Sequence, residues 1–177
     1  MTALWILSPI AILISAGGSW YFASQAIESS KTIANRRATF DYITRLSWDK
    51  DYIAAKNTFL EIKAGSKKIR AVAEEYEAAK NGVGTKPTPK KLQEIIESHS
   101  AVKNILNEYE AMAIAVKKEV LDEEMMKRNI RQQFVAHVEA CKDFIEYTRG
   151  QSGMKKPETL WCEIQALAKE WAKEDEI

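Results

Sequence analysis

From Met1 to Ile27 the chain carries no Asp, Glu, Lys, Arg or His, and the run from Leu4 to Ala23 is almost wholly apolar. No other feature restricts its architecture so sharply. About twenty helical residues match a hydrocarbon core of roughly 30 Å, and a helix satisfies its own backbone polar groups, so residues 1–27 are expected to form a transmembrane helix. Trp5 lies near one end, and Trp20 with Tyr21 near the other, where amphipathic rings favour the headgroup level. A secretory signal would place basic residues ahead of the apolar stretch, and none stands there, so the segment is expected to be retained. The first cations, Lys31, Arg36, Arg37 and Arg45, all follow the span. The positive-inside bias therefore predicts a single pass with Met1 outside and the remainder in the cytoplasm.

Within this segment Ser8, Ala11, Ser15, Gly18 and Gln25 fall at helical or heptad steps and form one small or polar stripe. Small residues let helices approach closely in lipid, although they are also common in solitary anchors. A functional stripe implies neighbours, either as a tight oligomer seam or as the wetted wall of a pore. At helix spacings of about 8–10 Å, an aqueous lumen needs a ring of roughly five or more subunits.

Beyond the span, 46% hydrophobic and 29% charged residues in a 177-residue chain suit one core and no second full domain. Gly and Pro are scarce and period-two alternation is missing, so the fold class is all-α. Residues 28–47 read as a helical stalk continuing the span, and residues 48–177 as a helical domain. Trp48, Tyr52, Ala55, Phe59 and Ile62 mark a first amphipathic helix that pauses near Gly65 and resumes over 67–80. The stretch Asn81 to Thr88 is a loop, and Thr88-Pro89 a helix start. That helix is expected to stop near Glu97, with Ser100 capping the next, whose apolar face includes Val102, Leu106, Tyr109 and Val116. Asp122 caps a helix expected to run to about Arg149, and a last helix should start near Pro157, burying Leu160, Trp161, Ile164 and Trp171.

The 26 basic and 25 acidic side chains nearly cancel, and the pairs Lys67-Lys68, Lys90-Lys91 and Lys155-Lys156 lack aromatic platforms, so no direct nucleic-acid contact is expected. The Gly-rich phosphate loop, HExxH, GxSxG and CxxC patterns are missing, and no cofactor or metal site is expected. Cys141 and Cys162 read as small buried hydrophobes without a disulfide. One candidate for catalysis remains. Arg131 and His137 form an Arg-x5-His spacing, within that of the HEPN superfamily, whose nucleases use His as acid or base and Arg on phosphate. Ile130, Phe134, His137, Cys141 and Phe144 share one apolar stripe, which turns His137 towards a core and leaves Arg131 roughly 120° away around the helix. The bland reading is a core histidine beside an arginine paired with a carboxylate; the others are a ribonuclease site or a degenerate HEPN pair that orders the bundle.

The stretch Leu106 to Phe134 resembles the core of a family of small bacterial and prophage membrane proteins of unknown function. The layout of N-terminal membrane helix, chain length and late Arg131-x5-His137 is similar to the membrane accessory proteins of type VI-B CRISPR systems. That resemblance implies a HEPN-like bundle under a bacterial inner-membrane helix, in contact with lipids. It implies assembly as a ring-shaped homo-oligomeric pore, an octamer being one such ring. The pore would strengthen antiviral defence alongside an RNA-guided, RNA-cleaving effector; the alternatives are a membrane-tethered HEPN-type ribonuclease and a non-catalytic scaffold that recruits the effector. Catalysis is not implied, and Gln132 departs from the Asn, Asp or His often found after the arginine.

Overall fold

The computed structural model describes the backbone of residues 4–66, 68–151 and 153–173, and the side chains from Gly18 onward. Every described element is helical: α1 (Leu4–Trp48), α2 (Lys50–Ala64), α3 (Ile69–Asn81), α4 (Pro89–Lys117), α5 (Glu123–Ala140), α6 (Lys142–Gln151), a 3-10 turn (Pro157–Thr159) and α7 (Cys162–Lys173). Among the described residues no helix is long and apolar enough to cross a membrane. Most side chains of the expected span, with Ser8, Ala11 and Ser15 among them, lie outside the described residues.

α4 is the central post. Thr88 accepts from the Lys91 amide at 3.3 Å, and Pro89 occupies the first turn, where its missing N–H costs nothing. Its buried positions run Ile95, His99, Val102, Leu106, Tyr109, Ala113 and Val116, at steps of three and four along the whole helix. This continuity corrects the expected break near Glu97. Ser100 is exposed in mid-helix rather than capping a new one, because burial of His99, Ala101 and Val102 carries one apolar face straight through. α2, α3 and α7 pack around this post, with α5 on α7 and α6 on α3.

The helix expected from Asp122 to Arg149 is broken at Cys141, whose amide reaches both the His137 and Val138 carbonyls at 3.1 Å. The break lets one stretch serve two neighbours. Before it, Phe134 and Val138 face α7; after it, Phe144 and Ile145 turn into the core beside α3. Cys141 is fully buried at the kink, whereas Cys162 is exposed at the start of α7 and corrects the expectation of two buried thiols. Both are free. The last segment also differs: Pro157 begins only a short 3-10 turn, and α7 starts at Cys162 after Trp161, which sits at φ +54°.

α1 is one unbroken helix, roughly 67 Å long at 1.5 Å per residue. Its C-terminal third does not stand free. Ala38, Tyr42 and Ile43 pack on the core, and Thr39 is fully buried. Asp49 then ends the helix and caps α2, accepting from the Asp51 and Tyr52 amides at 3.0 Å. Upstream, large apolar side chains lie open, with Phe22 and Ile27 each 70% exposed.

Candidate functional site

Two places carry polar groups that a purely apolar packing would not need: the middle of the bundle around His137, and the joint between α1 and the α4–α5 turn. Among the described residues the buried polar side chains are Thr39, His99 and His137, so the joint holds one and the bundle two.

His137 points inward from α5, 3% exposed, with the Phe59 ring edge-on at 4.8 Å. Its Nδ1 lies 2.9 Å from the Tyr109 hydroxyl of α4. Burial first, then the positive Lys63 and Lys56, hold its pKa down to about 4, so the imidazole is neutral at pH 7. Burial likewise keeps the Tyr109 phenol above its ordinary range, and the two neutral groups share one hydrogen bond. Arg131 goes elsewhere. Its Nε and Nη2 donate to the Trp171 carbonyl at 3.0 and 2.6 Å. That carbonyl lies in the last described turn of α7, so the guanidinium ties α5 to α7 through the backbone.

That pairing belongs to a set of clamps on the C-terminal segment. Arg149 grips the Leu160 carbonyl with the same two-point geometry, at 3.0 and 2.6 Å. Glu110 of α4 accepts from the Glu163 and Ile164 amides at 3.3 and 2.9 Å, placing a negative charge on the positive end of α7. The indole N–H groups of Trp161 and Trp171 donate to Asn107 and Glu123, both at 2.9 Å. Arg131 and His137 are therefore directed to different neighbours: one fastens α7, the other fills the centre between α2 and α4. The spacing of the pair is legible in sequence; Tyr109, Glu110 and Arg149, which give the region its order, carry no local signal beyond helical periodicity. The neutral, sealed histidine offers no exposed base to a substrate. Among the described residues no group of three His, Cys, Asp or Glu side chains is placed to hold a metal ion.

The joint is built differently. α4 ends in a Schellman turn: the Glu119 amide bonds the Val116 carbonyl and the Val120 amide the Ala115 carbonyl, each at 2.9 Å. The left-handed position usually given to glycine is held by Glu119 at φ +53°. α1 grips this turn along one face. Lys31 pairs with the Glu119 carboxylate, and Asn35 donates to the Glu119 carbonyl at 2.7 Å. Arg36 meets Asp122 at 3.2 Å, and Arg45 pairs with Glu108. Thr39 sits beneath them, donating to the Asn35 carbonyl at 2.8 Å and accepting from the Asp122 amide at 2.7 Å. Asp122 in turn accepts from the Met125 amide at 3.0 Å to cap α5, and that backbone bond, ahead of the Arg36 charge, holds its carboxyl below the usual range. Nothing in the local sequence marks Thr39 or Glu119, because a left-handed glutamate and a buried threonine are decided by the partner helix.

Of the expected seam residues, the described two lie clear of the bundle: a Cβ added at Gly18 would meet nothing within 4 Å, and Gln25 donates to the Tyr21 hydroxyl one turn back, at 2.9 Å. Residues 9–171 match the model of DUF4760, a domain of unknown function. The chain belongs to the DUF4760 family. The matched region takes in most of the uncharged N-terminal segment together with the bundle, so DUF4760 treats the long helix and the domain it grips as one unit. No curated protein and no solved structure matches the chain.

Proposed function

We propose that this DUF4760 chain is a single-pass inner-membrane protein whose cytoplasmic bundle assembles it into a ring, so that the N-terminal helices together form a pore. The observation that carries this reading is α1 itself. One helix leaves the bundle unbroken, its lower part fastened at the joint and its upper part presenting Trp20, Phe22, Ile27 and Ile33 away from the rest of the chain. A rigid helix of this kind transmits the arrangement of the bundles to the span, and the uncharged run with the Ser8 to Gln25 stripe supplies faces for neighbouring copies. The finer reading rests on the resemblance to type VI-B CRISPR accessory proteins: a HEPN-like bundle, a ring of five or more, and permeabilisation of the membrane that strengthens an RNA-guided, RNA-cleaving effector. The ribonuclease alternative has the sealed, neutral His137 against it.

The test is dye uptake and membrane potential in cells expressing the chain with and without an active RNA-targeting response, coupled to mass measurement of the detergent-purified particle. A ring-sized particle and depolarisation during the response are expected, and Gly18→Leu should change either without altering bundle melting. A monomer, or an unchanged potential, sinks the pore; RNA cleavage lost in His137→Ala but retained on refolded wild type would favour the ribonuclease.

A further inference from the structure

Four helices meet around a cleft of about 340 Å³ beside the joint: the last turns of α1, the first half of α2, Tyr109 of α4 and the first half of α5. Its volume falls at the small end of ligand sites, roughly 300–1,000 Å³, too small for a peptide helix. The composition of its walls narrows the occupant. Asn57, Asn129 and Gln133 bring three carboxamides from two helices, Lys56 brings one cation, and no carboxylate side chain lines the space. With no carboxylate in its lining and one lysine, the cleft favours an anionic or neutral ligand over a cation. Tyr42 and Tyr52 supply aromatic rings, and Ile43, Met126 and Ile130 supply apolar wall. The floor adds little polarity of its own, since the Tyr109 hydroxyl is engaged with His137.

Each of these features corresponds to one part of a small planar ligand. A carboxamide presents a donor and an acceptor side by side, which matches the paired donor and acceptor edges of a nucleobase. Aromatic faces stack on planar heterocycles. A single lysine suits one phosphate as a point charge. We propose that this cleft is a binding site for a nucleoside monophosphate, the base held by the carboxamides against the tyrosine rings and the phosphate by Lys56. Because the walls come from α1 and α5 as well as α2, an occupant spans the joint. Binding to the docked arrangement alone then stabilises it by mass action, tying the long helix to the bundle.

The experiment is calorimetric titration of the full chain in detergent with AMP, GMP, CMP and UMP, and with ribose 5-phosphate and inorganic phosphate as controls. At least one mononucleotide should bind with Kd below about 0.1 mM while both controls give no heat. Asn129→Ala should weaken it by about tenfold, the effect of one lost hydrogen-bonding partner. Lys56→Ala should weaken the nucleotide and leave its nucleoside unaffected. Asn57→Ala makes the same claim from α2, so a failure of one variant to fold leaves the other to decide. Amide exchange in α1 residues 31–46 should slow when the ligand is bound. Failure of all four nucleotides overturns the proposal, as does equal binding of ribose 5-phosphate, unchanged affinity in both carboxamide variants, or binding of a short RNA where mononucleotides fail. None of these results depends on whether the membrane helices form a pore.

Discussion

α5 carries two unlike environments on one helix. At its start, Asp122 meets the buried Thr39 and the exposed Arg36 in a polar joint; near its end, His137 is walled by Phe59, Tyr109 and the neighbouring core. The joint is held by hydrogen bonds and exposed ion pairs, which contribute little each and are screened by salt. The bundle centre is held by close packing of large side chains, among them Phe134, Phe144, Met112 and Trp171, all fully buried. The difference teaches how each part should respond to its surroundings: exposed ion pairs weaken as salt rises, whereas a packed core does not, so ionic strength should separate the joint from the centre.

Four measurements bear on that contrast. Phe134→Ala should cost the most, about 3–5 kcal/mol in urea unfolding, since it opens a cavity against Tyr109 and Trp171; a loss under 1 kcal/mol would mean that the centre is not close-packed. Acidification comes next. His137 has a pKa of about 4 in the fold and about 6.5 unfolded, so between these values the unfolded chain binds more protons. Stability is therefore full above pH 6.5 and falls as the pH drops towards 4, on the order of 2–3 kcal/mol from this group. His99, also held at about 4 by burial and then by Lys103, adds a slope of the same sign. Unfolding profiles of wild type and His137→Phe should diverge in that window, and parallel profiles would contradict the sealed, neutral histidine.

Arg131→Ala should remove about 1–3 kcal/mol by taking the two guanidinium hydrogen bonds from the Trp171 carbonyl, and amide exchange should quicken in α7 before α1. Were RNA cleavage instead the property lost, with α7 unchanged, the clamp reading would fail. Thr39→Val should have the smallest effect on global stability, about 1 kcal/mol, because it removes one hydrogen-bonded hydroxyl at similar volume. Its signature is local: exchange should rise over residues 31–46 while the α4–α7 core stays protected, and raised salt should add to it. Equal loosening of both regions would erase the distinction between joint and centre.

Much of this organisation was readable in advance. Helical periodicity marked the buried faces of α4 and α7, the Asn81 to Thr88 break and the caps at Thr88 and Asp122, because those signals are local and each acts within one or two turns. Periodicity also turned His137 inward. It was silent on partners. Nothing next to Arg131 says that its guanidinium reaches the Trp171 carbonyl, and Ser100 has the same preference for a cap whether or not a continuous apolar face overrides it.

The amino-acid sequence alone thus determined an all-helical fold class, an uncharged leading segment, and which side of α4, α5 and α7 seeks burial. Only the tertiary structure decided that the stretch after Asp122 breaks at Cys141, that Glu119 takes a left-handed turn, and that the lower part of α1 is gripped along one face. The physical reason is common to all three. An apolar stripe specifies that a neighbour exists, but which neighbour, at what angle and through which polar contacts depends on residues far apart in the chain, and that choice is made when the helices pack.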